Sequence, residues 1–316
     1  MKRPKGEPPR NMAASVKTRL MSVARERKED FNFLLTRYVL ERLLYRLTQS
    51  SHAGTFLLKG AMLFTVWSQR PHRATKDIDL LGYGSPDVQR LEAIFREVCE
   101  VRVQDDGLAF LAATVKAEPI REEAVYDGIR VTFEAKLGTA KVPVQVDVGF
   151  GDATTPPPEL VEIPPLLDLP PPVLQGYRRE LVVAEKLHAM VDLGMANSRM
   201  KDFFDIWFLS RQFAFDGAAL ASALRATFER RKTPVVTTLP LALTETFSQD
   251  TAKKSQWAAF TKRARIDSPA PSLHDVVEAI VTFLGPVMAA SASGQPHPDH
   301  WPPGGPWGAK GLQTSE

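Results

Sequence analysis

Phe31, Leu34, Leu35, Tyr38, Val39, Leu43 and Leu47 recur at intervals of three and four, the spacing of one helix face, and predict helix over residues 14–50. Residues 55–58 form a short apolar run of strand type. Ser85 and Pro86 mark a helix start with proline in the first turn, opening a stripe of Val88, Leu91, Ile94, Phe95 and Val98. The period then changes. Ile129, Val131, Phe133, Ala135 and Leu137 alternate with polar residues, as do Val142, Val144, Val146 and Val148, which predicts two strands with one buried face each. Further on the spacing is helical again, at Val183, Leu187, Met190 and Val191 and at Phe203, Ile206, Trp207 and Leu209. Ser272 and Asp275 are placed as a capping pair ahead of Val276, Val277, Ile280, Phe283 and Leu284. The pattern is that of an α+β chain with a strand-bearing half and a mostly helical half.

Proline divides these halves. Eight of the 25 prolines fall between Pro156 and Pro172, where neither a helix nor a central strand is expected. The expected organisation is a basic disordered N-terminus (1–13), a core domain (14–153), a Pro-rich linker (154–175), a helical domain (176–288) and a disordered Pro/Gly-rich tail (289–316). Trp301 and Trp307 in that tail are either incidental or a docking motif.

With 40 basic and 37 acidic residues among 316, the net charge of +3 does not by itself imply a nucleic-acid partner. A single cysteine, Cys99, excludes a disulfide framework and a Cys-rich zinc site. The histidines lie far apart except His297 and His300. No apolar run is expected to reach the ~20 residues that span a bilayer. The basic N-terminus lacks an apolar stretch of secretory type, and a cytoplasmic location without membrane contact is expected.

Candidate chemistry concentrates on acidic residues. In Lys76-Asp77-Ile78-Asp79-Leu80-Leu81, strand geometry sends Asp77 and Asp79 to one face and Ile78 and Leu80 to the other. Two adjacent carboxylates repel unless a cation neutralises them, and a divalent ion with oxygen ligands does so well. A solvated strand end is the alternative. Asp147 faces away from Val144, Val146 and Val148, either as a solvent-facing residue of an edge strand or as the third of three strand-borne carboxylates that could converge on two magnesium ions.

Upstream, Phe56-Leu57-Leu58-Lys59-Gly60-Ala61 reads as a strand entering a Gly turn and a helix. That arrangement suits a phosphate, or is a plain turn. Arg70, His72, Arg73 and Thr75 form a basic approach to the acidic pair. In the helical half Lys186 stands beside an apolar stripe, and Arg199, Asp202 and Asp205 share a helix face, either as active-site groups or as ion pairs locking two helices. His188 reads as a packed helix residue.

Taken in order, LLTRYVLERLLYRLTQS, FLLKGAMLF, RATKDIDLL, VQVDVGFGD, ELVVAEKLHAMV and NSRMKDFFDIWFLS resemble the AbiEii/AbiGii toxin family of nucleotidyltransferases over roughly residues 15–215. The resemblance implies a polymerase-β-like nucleotidyltransferase core with a mixed sheet, a helical C-terminal domain, and the toxin role in a toxin–antitoxin or phage-defence module. It implies Mg²⁺ held as a two-metal site by Asp77, Asp79 and Asp147, an NTP substrate, and catalytic roles for Lys186, Asp202 and Asp205. Lys59, Gly60, Arg73, Thr75 and Arg199 are the candidate nucleotide contacts. The implied acceptor is RNA, with a tRNA 3′ end foremost, and the implied partner is a cognate antitoxin. The chain departs from the superfamily in having Gly60-Ala61 rather than Gly-Gly or Gly-Ser, with 16 residues between Gly60 and Asp77.

Arg225, Arg230, Arg231 and Lys232, followed by Lys253, Lys254, Lys262, Arg263 and Arg265, are candidate RNA-facing patches or solvated helix faces. Nine basic against four acidic residues in the first 30 positions add to them. Competing readings are a D-x-D glycosyltransferase or metal phosphohydrolase, a nucleotide-binding partner module without turnover, and a transferase that modifies protein, including its own Thr75.

Overall fold

Two helices open the chain where the apolar spacing predicts one. Helix α1 spans Met12–Arg27 and α2 spans Phe31–Thr48. Lys28 adopts a left-handed conformation (φ 55°) and ends α1. The Asp30 carboxylate then caps α2 by accepting from Asn32 N and Phe33 N. The break thus rests on a cap and a left-handed residue, which leave the hydrophobic period undisturbed. In this computed structural model the described residues are 11–68, 75–120, 128–235, 238–264, 266, 270–295, 297 and 299–309. The first ten residues, and with them most of the expected disordered N-terminus, lie outside that set.

The remaining elements of the first half are β1 (Phe56–Lys59), α3 (Leu63–Trp67), β2 (Ile78–Gly82), α4 (Val88–Glu100), β3 (Leu108–Phe110), β4 (Lys116–Ile120), β5 (Gly128–Leu137), β6 (Ala140–Phe150), β7 (Glu159–Glu162) and β8 (Val173–Gly176). Among the described residues they form one mixed eight-stranded sheet in the order β3-β5-β6-β2-β1-β8-β7, with β4 also on β5. β2 runs parallel to β6 and antiparallel to β1. β5 and β6 alternate strictly, with Ile129, Val131 and Phe133 and Val144, Val146 and Val148 all buried. Phe95 of α4 packs on Phe56 of β1 and Phe133 of β5, so α4 covers this apolar face. The polar residues of β5 and β6 therefore point to the other face.

The Pro-rich segment is not a linker. From residue 159 on it belongs, with Gly176, to the same compact unit as residues up to Gly151 and supplies β7 and β8, while residues 154–158 belong to the second unit. Polar residues of α2 hold it there: Glu41 Oε2 accepts from Leu166 N at 2.8 Å, and Arg42 donates to Pro170 O at 2.7 Å. Asp106, 1% exposed, is gripped in turn by Arg42 and Arg46. Proline content alone conveys none of these side-chain bonds.

The second unit comprises residues 152–158 and 177–316. It contains α5 (Arg179–Leu193), α6 (Met200–Gln212), β9 (Phe215–Asp216), α7 (Gly217–Arg230), α8 (Glu245–Gln249), α9 (Thr251–Ala264), α10 (Leu273–Ala292) and β10 (His300–Trp301). Ser272 and Asp275 form the expected capping box. Helix α10 corrects the expectation that no run reaches membrane-spanning length: it has 20 residues, and an 18-residue stretch of it has mean hydropathy 1.5, enough by length and composition alone to cross a bilayer. Its Val276, Ile280, Phe283 and Leu284 are buried, and it packs against α6, α7 and α8.

The tail from residue 289 is likewise not simply disordered. β10 pairs with β9, and Trp301, 3% exposed, donates to Ser210 O at 2.7 Å. Trp307 stacks on Phe283 and donates to its carbonyl at 2.8 Å. Two indoles with satisfied N–H groups bury enough apolar surface to order a segment rich in proline and glycine.

Candidate active site

The polar face of the sheet carries a lateral row of charge. Lys59 of β1 is in register with Asp79 of β2, Asp79 with Asp147 of β6, Asp147 with Arg130 of β5, and Arg130 with Glu118 of β4. Register partners on adjacent strands share a face and lie about 4.8 Å apart across the sheet. Asp79 and Asp147 are thus immediate like-charged neighbours, flanked by a lysine and an arginine. A like-charged pair in direct register is unfavourable unless cations attend it.

Each carboxylate has a distinct setting. Asp77 stands one residue before β2, and its Oδ1 accepts from Thr75 Oγ1 at 2.9 Å. Asp79 lies against the backbone of Gly60, which has φ of +72°. A Cβ placed on Gly60 would fall on the Asp79 carboxylate, 2.6 Å from Cγ. Glycine here serves a left-handed turn and a close approach at once. Asp147 is forked by Arg130, Nε to Oδ1 and Nη2 to Oδ2, both at 2.8 Å. Gln145, two residues back on the same face, donates to both oxygens at 3.3 and 3.2 Å.

The turn after Gly60 differs from expectation. Residues Gly60–Met62 form a 3₁₀ turn and α3 is only five residues long, so no extended helix dipole faces a phosphate. Arg70, His72 and Arg73 lie outside the described residues.

In the helical unit Lys186 Nζ bonds Asp202 Oδ1 at 2.6 Å and Asp205 Oδ2 at 2.8 Å. Arg199 Nε reaches Asp202 Oδ2 at 2.7 Å. Both carboxylates are fully buried. Burial pushes the Asp202 carboxyl up, but Lys186 and Arg199 outweigh it and hold it below the ordinary range. The four residues form one network that ties α5 to α6.

His188 is buried, its ring between Thr233 Oγ1 at 3.0 Å and an Arg231 N–H at 3.2 Å. Burial, then Arg231, bring its pKa down to about 4. Two of the expected RNA-facing cations are committed internally. Arg231 also pairs with Asp152 and Glu185, and Lys253, 6% exposed, donates to Asn197 O. Lys254, Lys262 and Arg263 are exposed on α9, while Arg265 lies outside the described residues. Burial lifts the Cys99 thiol to about 12, so it is no nucleophile.

Asp77, Asp79 and Asp147 supply the hard oxygen donors that suit a divalent cation. Among the described residues, however, no group of three acidic, His or Cys side chains is gathered closely enough to hold one. The donor chemistry fits; the third donor is engaged by Arg130 and Gln145.

The model of the AbiEii nucleotidyl transferase toxin, of a type IV toxin–antitoxin system, matches residues 42–279, well over half of the chain. The chain belongs to the AbiEii toxin family. No curated protein matches it. JHP933 from Helicobacter pylori is a similar solved structure, 14% identical with a TM-score of 0.46, the alignment covering 83% of this chain and 92% of that one. Another H. pylori structure, provisionally described as a nucleotidyltransferase, has the same identity and score over 83% and 95%.

As an AbiEii-family protein the chain is a nucleotidyltransferase with a nucleotide substrate and, within a toxin–antitoxin system, an antitoxin partner. The match to the AbiEii model contains the entire charged row and the Lys186 network. Arg130, Gln145 and Glu118 escape the sequence reading. Along β5 the half-buried polar face carries Arg130, Thr132, Glu134 and Lys136, and only the pairing register singles out Arg130 as the partner of Asp147.

Proposed function

We propose that this AbiEii-family protein is a cytoplasmic, Mg²⁺-dependent toxin that moves NMP from an NTP to an RNA 3′ end, with tRNA the foremost acceptor. The observation that carries the reading is the direct register of Asp79 with Asp147, between Lys59 and Arg130. Such a juxtaposition of carboxylates costs stability and is what a cation-dependent phosphoryl site requires.

In this reading the 3′ oxygen bonds to the α-phosphorus, the bond from that phosphorus to the pyrophosphate oxygen breaks, and pyrophosphate leaves. Asp77, Asp79 and Asp147 would hold the cation, which when bound supplies charge neutralisation to the triphosphate and acidifies the attacking hydroxyl. Asp147 takes up the hydroxyl proton. Lys186, held in place by Asp202 and Asp205, is the candidate contact of the triphosphate, and Lys59, Gly60, Thr75 and Arg199 are further candidate nucleotide contacts. The exposed Lys254, Lys262 and Arg263 support an RNA acceptor by charge alone.

The test is incubation with each α-labelled NTP, Mg²⁺ and total RNA. Label is expected at RNA 3′ ends, with binding that weakens steeply as salt rises. Label on protein alone, with RNA untouched at low salt, overturns the RNA acceptor and leaves a protein-modifying transferase.

A further inference from the structure

Asp147 has no idle acceptor positions. A carboxylate offers about four lone-pair sites. Arg130 occupies two of them through its fork and Gln145 approaches both oxygens from the same strand. We infer that Arg130 is a built-in counter-ion for Asp147, which competes with the divalent cation and holds the third carboxylate closed until that cation arrives. The inference rests on the metal-dependent reading of the acidic face given above.

Three features make the pair exchangeable rather than structural. The Arg130 and Asp147 side chains are 38% and 17% exposed, against 12% and 0% for Lys186 and Asp202 of the helical unit, so the guanidinium can move without leaving a fully buried charge unpaired. Arg130 has an alternative partner directly across the ladder in Glu118, whose position on β4 is exposed. The field on Arg130 also comes from Asp77 as well as Asp147, so the cation serves the acidic face as a whole. Asp79 is in register with Asp147, and closing Asp147 with Arg130 offsets one of two adjacent like charges as long as no metal is bound.

Arg130 is thus a positioning residue that acts through Asp147. Its planar fork matters, because a lysine cannot engage both oxygens in the same plane.

The experiment measures Mn²⁺ binding to the full chain without nucleotide, by the loss of the free-ion electron paramagnetic resonance signal. Wild type, Arg130→Met, Arg130→Lys and Asp147→Asn are compared, with thermal melting as the folding control. Arg130→Met is expected to tighten Mn²⁺ binding about fivefold, the scale of one partly exposed ion pair. Arg130→Lys is expected to fall between it and wild type, and Asp147→Asn to weaken binding. In the transfer assay the Mg²⁺ concentration giving half-maximal rate falls for Arg130→Met. Unchanged or weaker Mn²⁺ binding in a folded Arg130→Met protein, with Asp147→Asn still weakening it, overturns the counter-ion role and leaves the metal site intact. If Asp77→Asn, Asp79→Asn and Asp147→Asn all bind Mn²⁺ as wild type does, the metal reading itself fails, and the counter-ion role with it.

Discussion

The Asp79 carboxylate occupies the space that a side chain on Gly60 would fill. Gly60 also sits at φ +72°, where L-residues are strained. Gly60→Ala is therefore expected to destabilise the sheet unit by about 1–2 kcal/mol from backbone strain alone. It is also expected to abolish transfer, because Asp79 must swing out of the charged row. Thermal melting and the labelled-NTP assay check both. An active Gly60→Ala protein would show that the position of Asp79 is unimportant.

Variants of the Lys186 network distinguish a stabilising role from a catalytic one. Removing the ammonium leaves Asp202 and Asp205 buried beside each other, at a cost of about 3–5 kcal/mol. Lys186→Met is expected to show that loss together with a rate loss on the order of 10²-fold or more. Lys186→Met combined with Asp202→Asn and Asp205→Asn is expected to recover most of the stability and none of the activity. Recovery of both would reduce the network to a helix clamp.

Two buried groups give pH dependences of opposite sign. Burial raises the Glu41 pKa to about 7, despite the Leu166 N–H and Arg42. Its contribution to stability is full below its ordinary value of 4.5 and is lost as pH rises through 7. His188 lies at about 4, so its contribution is full above 6.5 and is lost as pH falls towards 4. Relative to wild type, Glu41→Gln should gain melting temperature from pH 5 to 8, and His188→Gln should gain it from pH 6.5 to 4. Melting curves that stay parallel to wild type across these ranges would contradict both assignments.

Trp301 anchors the tail through Ser210 and contacts Phe283 at 4.9 Å between ring centres. Trp301→Ala is expected to destabilise the helical unit by about 3–5 kcal/mol. A loosely attached tail would leave its denaturant midpoint unchanged.

How far these features were legible depends on the range of the interaction behind them. The alternation in β5 and β6 is local, so the orientation of Asp147 away from the valines can be read directly from the residues. The Ser272–Asp275 box is equally local. The Asp77/Asp79 spacing points to a strand, but Asp77 stands just ahead of β2, and its bond to Thr75 depends on backbone conformation there. The Arg130–Asp147 fork requires the β5–β6 register, which emerges only when the strands pair. The place of the Pro-rich segment in the sheet is hidden for a similar reason. Glu41 and Arg42 hold it from more than a hundred residues away, and within α2 they read as ordinary surface charge.

Everything proposed for this protein turns on nucleotidyl transfer at the Asp79–Asp147 pair. The most direct measurement is label transfer from an α-labelled NTP to total RNA by wild type and by Asp79→Asn, at saturating Mg²⁺ and with matched melting curves. Asp79→Asn keeps the shape of the side chain and removes its charge. A labelled RNA 3′ end is expected with wild type and none with folded Asp79→Asn. Full activity in Asp79→Asn would contradict it.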